Sequence, residues 1–213
     1  MGIAERRERE REQRRADILD AAEKLFVEQG VANTTMDEVA EKAEFSKGTL
    51  YLYFKNRDDI FFGVNLRALN ILKTLFAEAI QTEGDGLCKV QAIGKAYYHF
   101  SQEYPHYFGI FMSFDPEKLD ITDPESNGFH CHLCSEEVMS IVAEAVEIGI
   151  KDGSIRPELD PMETAYILWG QTTGIIQIIV KQGEHIKSHH GINPERLIPE
   201  SFSMIHHALM RHS

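Results

Sequence analysis

Between Lys47 and Lys55 the chain reads Lys-Gly-Thr-Leu-Tyr-Leu-Tyr-Phe-Lys, and five of those side chains have chemistry suited to a polyanion. The ammonium groups of Lys47 and Lys55, the hydroxyl of Thr49 and the phenols of Tyr51 and Tyr53 all hydrogen-bond phosphate oxygens or reach base edges. Leu50 and Phe54, four apart, would form the opposite, inward face of the same helix. Ser46 stands one residue ahead as an N-cap, where its hydroxyl can accept from a backbone N–H that the helix leaves unpaired.

Such a surface needs neighbours to hold it. Thr35 and Glu38 have the N-cap and N3 spacing of a capping box, and Thr34 with Asp37 offers the same arrangement one residue earlier. Met36, Val39, Ala40 and Ala43 then recur at helical spacing, which predicts two short helices across a tight turn. Ile18, Leu19, Ala22, Leu25 and Phe26, closed by Gln29-Gly30, form the stripe of a third, supporting helix. Ahead of that stripe, Glu5 to Arg15 alternates acid and base with partners four apart. This run reads either as a solvated helical lead-in or as a basic arm in which Arg6, Arg7 or Arg9 enters a minor groove.

Thr34-Thr35-Met36, two residues, then Val39-Ala40, followed by Phe45-Ser46-Lys47-Gly48-Thr49-Leu50-Tyr51, one residue, and Tyr53-Phe54-Lys55-Asn56-Arg57-Asp58-Asp59, resembles the helix-turn-helix signature of the tetracycline-repressor (TetR) family of bacterial transcription regulators. The resemblance covers about the first quarter of the chain. It implies a DNA-binding domain of three helices over residues 1–57 and an all-helical effector-binding and dimerisation domain over 58–213. It also implies a homodimer, most often a repressor, on double-stranded palindromic DNA, released by a small-molecule effector. The DNA-binding residues so implied are Thr34, Thr35, Ser46, Lys47, Gly48, Thr49, Tyr51, Tyr53 and Lys55, with Thr49 and Tyr51 near base edges. One position departs from the pattern: Glu44 stands where the family usually has glycine. A left-handed backbone there costs a non-glycine residue about 1 kcal/mol.

The formal charge of −12 over 213 residues argues at first against nucleic acid. Residues 1–57, however, carry 11 Lys and Arg against 12 Asp and Glu, so nearly all of the acidic excess follows residue 57. Local patches decide DNA binding, and the global charge is a poor veto. Three cysteines and the lack of an apolar leader predict a reduced, cytoplasmic chain. The apolar run near Gly174 to Val180 is far shorter than the roughly 20 residues that span a bilayer, so no membrane partner is expected.

Beyond Asn56 the periodicity is helical throughout, and the whole chain reads as all-α with about nine helices. Asn56 and Asp59 open a long helix carrying Ile60, Phe61, Val64, Leu69, Leu72 and Leu75. Leu87, Val90, Ile93, Tyr97 and Phe100 form the next stripe, with Cys88 expected in the core. The aromatic stretch from Tyr104 to Phe114 either fills a core or lines a cavity for an apolar or aromatic effector. Tyr97, Phe100, Tyr107, Phe108, Phe111, Met139 and Trp169 are the candidate ligand residues. Asp115 to Gly128, with two prolines and many acids, predicts an exposed loop. Asp160, Pro161 and Glu163 give a well-specified helix start. That helix and the last one, with Ile198, Phe202, Ile205 and Leu209, have the broad apolar faces that a two-fold four-helix interface needs.

His130, Cys131, His132 and Cys134 are the one stretch resembling a metal site, with zinc the ion it would take, or a thiol pair. Four residues this close on a helix do not share one face. A metal- or thiol-responsive regulator, and a helical interaction module without DNA binding, are the alternative readings. No cofactor other than a small-molecule effector is expected. No nucleophile elbow, zinc-hydrolase or dinucleotide motif accompanies the histidines, so no enzyme is expected either.

Overall fold

The computed structural model describes residues 2–211. Among the described residues there are nine α-helices: α1 (Ile3–Gln29), α2 (Met36–Lys42), α3 (Lys47–Leu50), α4 (Arg57–Ala79), α5 (Gly86–Glu103), α6 (Pro105–Phe111), α7 (Asn127–Asp152), α8 (Pro161–His190) and α9 (Leu197–Leu209). Short 3-10 turns occupy Pro116–Lys118 and Pro194–Arg196. One isolated antiparallel bridge, Ile155 to Met210, is the extent of strand pairing among these residues. The all-α architecture expected from periodicity is what forms.

Helix starts follow the polar residues that the sequence supplies. Asp160 accepts from the backbone of Met162 and Glu163, both at 2.9 Å, with Pro161 in the first turn. Asp85 does the same for Cys88 of α5 at 2.8 Å. The acid-base run at the N-terminus is not a separate arm: α1 is continuous from Ile3, and its first three turns are exposed.

The helices pack into two compact units. The first comprises residues up to Asn70 together with His106–Cys134. Its core takes Ile18, Leu19, Ala22, Leu25 and Phe26 from α1, Val39 and Ala40 from α2, Leu50 and Phe54, and Ile60, Phe61 and Val64 from α4. Ile110 of α6 and Cys131 and Cys134 of α7 complete it. Compactness therefore does not break after residue 57, because the first turns of α4 fill the same core as the three helices before it.

The second unit comprises Ile71–Pro105 and the residues from Ser135 onward. Leu87, Val90, Ile93, Tyr97 and Phe100 of α5 are buried there, as are Val138, Val142 and Val146 of α7 and Ala165, Leu168 and Ile176 of α8. Gly86 and Gly149 bring α5 and α7 into backbone contact: a Cβ on Gly86 would lie 2.0 Å from the Gly149 nitrogen. The bridge at Ile155 ties the end of α9 back to the turn after α7, with Arg156 N donating to Leu209 O at 3.0 Å.

Three local expectations change. Cys88 is exposed, not in the core, because it sits about 100° around the helix from the buried Leu87. Residues 126–128, assigned to an exposed loop, are buried, with Ser126 just ahead of α7 and Asn127 and Gly128 its first two residues. Finally, α4 is long and apolar enough to cross a membrane by length and composition, although more than half of its apolar window is buried within the protein. The apolar run at Gly174 to Val180 was thus not the strongest such signal.

Candidate nucleic-acid interface

Two short helices need strong local termini, since neither is long enough to sustain itself by propagation. Thr35 and Glu38 provide one. The Glu38 backbone N–H donates to Thr35 Oγ1 at 3.3 Å, while its carboxylate accepts from the Thr35 N–H and hydroxyl, both at 2.8 Å. Those bonds hold Glu38 below the usual carboxylate pKa range. Ser46 provides the other: its hydroxyl accepts from Thr49 N at 3.1 Å.

Between them the chain turns through Glu44, whose φ of 59° makes it the one non-glycine residue with positive φ among the described residues. Phe45 N donates to Ala40 O at 2.9 Å and Glu44 N to Glu41 O at 3.1 Å. This is the paired 6→1 and 5→2 bonding of a Schellman helix end, in which the left-handed position normally falls to glycine. Glu44 keeps the turn that glycine would make and bears its steric cost, with its side chain exposed to solvent.

Leu50 and Phe54 are buried, as their spacing predicts, which turns the remaining side chains outward. Regular α-helix ends at Leu50, but Phe54 N still donates to Leu50 O at 2.9 Å, so the segment stays coiled to its end. Ser46, Lys47, Gly48 and Lys55 are exposed, Tyr51 is half-exposed, and Thr49 and Tyr53 are partly buried. Tyr53 packs against the first unit's core. Leu52, absent from the expected contacts, is 77% exposed. Its apolar type hid it from a search for polar groups, although its place between Tyr51 and Tyr53 could have disclosed it.

Both lysines have carboxylate partners. Lys47 Nζ lies 2.8 Å from Asp37 Oδ1 of α2, and Lys55 Nζ is paired with Asp123. Hydrogen bonds to these acids raise both ammonium pKa values. Thr34 does not belong to this surface: it is fully buried and its hydroxyl donates to Gly30 O at 3.0 Å, closing the turn from α1 to α2. Thr35 is committed to the capping box.

Beneath Lys55 lies a joint that no motif announced. Asp59 accepts from Lys55 N at 3.0 Å through one oxygen and from Asn127 N at 3.1 Å through the other. The Asn127 amide also donates to the Asp59 carbonyl at 2.8 Å, and its oxygen accepts from the Arg15 guanidinium. Arg15 in turn lies 5.2 Å over the Phe54 ring. One carboxylate thereby serves the starts of both α4 and α7.

The other expected residues are dispersed. Tyr107, Phe108 and Phe111 belong to the first unit, where Phe108 is buried and Tyr107 donates to Glu23 at 3.0 Å. Burial, with Glu23 beside it, pushes the Tyr107 phenol up to about 12. Tyr97, Phe100, Met139 and Trp169 belong to the second. There Tyr97 is hydrogen-bonded to Thr173 at 2.9 Å and edge-on to Phe76, while Trp169 is 39% exposed. A wide-mouthed groove of about 730 Å³ in this unit is lined by Leu75, Glu78, Thr82, Cys88, Gln91 and Lys95 among others, and by none of the seven.

The His130 to Cys134 stretch is likewise divided. His130 is exposed and His132 partly buried, whereas Cys131 and Cys134 are buried. Cys131 donates to Phe62 O at 3.0 Å, and burial pushes its thiol up to about 12, the reverse of what a redox-responsive cysteine needs. Among the described residues no three His, Cys, Asp or Glu side chains gather as a metal site.

A capped pair of short helices, braced by α1 and α4 and presenting cations, hydroxyls and phenols outward, is the reading head of a helix-turn-helix DNA-binding protein. Comparison with known proteins narrows the class. Residues 18–64 match the family model described as bacterial regulatory proteins, tetR family. The chain is 30% identical over 151 residues to the uncharacterized HTH-type transcriptional regulator YhgD of Bacillus subtilis (strain 168), covering 71% of this chain and 76% of that one. Its fold is similar to that of the ketosteroid transcriptional regulator KstR2 of Mycobacterium tuberculosis, with a TM-score of 0.66 and 16% identity over 93% of this chain and 96% of that one. It is also similar to the fatty acid degradation regulator FadR from Bacillus halodurans, with a TM-score of 0.67 and 15% identity over 89% and 93% of the two chains. The chain belongs to the TetR family and is a DNA-binding transcriptional regulator.

Proposed function

We propose that the protein is a cytoplasmic homodimeric repressor that leaves a palindromic operator when a small, largely apolar or aromatic effector binds. Residues 1–57 read the DNA, and residues 58–213 carry the effector and the dimer contact. The observation that supports this reading is the outward surface of Lys47, Thr49, Tyr51 and Lys55 on a segment whose inner face, Leu50 and Phe54, is locked in the core. In a two-fold dimer the two copies of that segment enter successive major grooves about 34 Å apart. Thr49 and Tyr51 approach base edges, Leu52 meets a thymine methyl, and Lys47 and Lys55 contact phosphate.

Dimerisation is supported by α8. Tyr166, Gly170, Gly174 and Ile178 recur every four residues, and with Ile167 and Trp169 they leave a broad apolar face exposed in the single chain. Helices with such a face are buried by a second copy in a four-helix interface. The effector acts by its difference in affinity between the DNA-competent and DNA-free states.

A gel shift of the purified protein on its own upstream DNA tests the reading. Binding should weaken steeply with salt, and Lys47→Ala should reduce the slope of log affinity against log salt by about 0.9. Binding that is absent, or indifferent to salt and to Lys47→Ala, refutes it. For the dimer, Ile178→Asp should convert a two-subunit species in sedimentation velocity to one subunit; a wild type that already sediments as one subunit refutes that part.

A further inference from the structure

The two lysines of the reading surface differ in where their acidic partners come from. Lys47 is paired within the motif, to Asp37 ten residues away. Lys55 is paired to Asp123, 68 residues away in the connection between α6 and α7. That connection is acidic, with Asp115, Glu117, Asp120, Asp123 and Glu125 against Lys118. Asp120 adds to the field at Lys55.

Asp123 is delivered to Lys55 by a braced segment. Its carbonyl accepts from Ser126 N at 3.0 Å and Ser126 Oγ at 2.8 Å, and the same hydroxyl reaches Asp120 O at 3.0 Å. Asp123 Oδ1 also accepts from Glu125 N at 3.0 Å. The next residue, Asn127, is bonded to Asp59, which caps the start of α4 one turn from Lys55. Behind the segment, Gly128 lets Asp120 approach so closely that a Cβ there would lie 3.0 Å from its carbonyl oxygen.

We propose that Asp123 is an internal competitor for the phosphate that Lys55 contacts, so that the α6–α7 connection sets the DNA affinity of the free protein. The inference rests on the DNA-binding role assigned to Lys55 above. A carboxylate and a phosphate oxygen make the same charge-assisted bond to an ammonium, and a carboxylate left beside a phosphate repels it. DNA must therefore displace Asp123 from Lys55. Anything that moves the connection alters the availability of Lys55 without touching the recognition segment.

The test is fluorescence anisotropy of full-length protein on two duplexes, one from its own upstream region and one of random sequence, over a series of salt concentrations. Asp123→Asn keeps the shape and the acceptor for Glu125 N–H while removing the charge. Asp115→Asn makes the same change in net charge in the same connection, away from the Lys55 pair. If Asp123 competes, Asp123→Asn tightens both duplexes by roughly 3- to 10-fold at low salt, and the gain shrinks as salt screens the Asp123 charge. Asp115→Asn then yields less than half that gain, and Asp123→Asn yields none when Lys55 is already Gln. Equal gains from the two Asn variants in both backgrounds identify a diffuse charge effect and overturn the competitor. A wild type that binds duplex but is unchanged by Asp123→Asn overturns the competitor alone. A folded wild type that binds neither duplex overturns the DNA-binding role and the competitor together.

Discussion

The starts of α2 and α3 and the start of α7 solve one problem with residues drawn from different distances. For α2 and α3, the groups that satisfy the orphaned backbone donors lie three residues away: Thr35 with Glu38, and Ser46 with Thr49. For α7, Ser126 supplies a local cap to Phe129 N, but the first helical residue is fixed by Asp59 and Arg15, 68 and 112 residues away. The first solution is written in a short stretch and can be read there. The second exists only once the chain has folded, and it ties an element of the reading head to one that begins twice as far along the sequence. A local cap stabilises one helix, whereas a long-range joint makes two helices depend on each other.

Four substitutions probe that contrast, in descending order of expected effect. Phe54→Ala removes a fully buried ring that both the recognition segment and Arg15 rest on, and should cost about 3–5 kcal/mol in chemical denaturation. Asn127→Ala strips Asp59 and Arg15 of their shared partner at a site that is 2% exposed and should cost about 2–3 kcal/mol. Thr35→Ala removes a local cap on an exposed helix start, and a loss of about 1 kcal/mol is expected. If Thr35→Ala proves as costly as Asn127→Ala, the distinction between local and long-range termini has no energetic content. Glu44→Gly should act in the opposite direction, raising stability by just under about 1 kcal/mol through relief of the left-handed backbone. Thermal melts of the two proteins side by side would show it, and a lower midpoint for the glycine variant would mean that the carboxylate contributes more than the turn loses.

The same contrast explains what was legible in the sequence. The helix pair, its caps, the inward Leu50 and Phe54, and the Asp160-Pro161 start of α8 all rest on spacing within one or two turns. The turn at Glu44 was legible only as a departure from the family's glycine; that Glu44 keeps the left-handed backbone is seen in the fold. Thr34 was misplaced because two overlapping capping boxes, Thr34 with Asp37 and Thr35 with Glu38, look alike in sequence; burial chose between them. Asn127 was read as loop because its partners are distant and prolines and acids precede it. Cys131 attracted attention as a thiol, yet its neighbours in space, Phe62 and Asn65, make it a packed and protonated core residue. The aromatic residues proposed for a ligand share a composition but not a compact unit, and composition carries no information about that.

The meeting of α5 and α7 at Gly86 and Gly149 has a consequence for how the second unit breathes. Where two helices touch through main-chain atoms, there is no side chain to rotate aside and admit a water molecule. The Gly86 and Leu87 amides are moreover engaged by Asp152, the last residue of α7, at 2.7 Å and by Ser154 in the turn after it at 3.2 Å. The main-chain contact opens only when the helices part as whole bodies, whereas the exposed Asp152 side chain can swing aside, so the Gly86 amide should exchange ahead of the unit's cooperative opening.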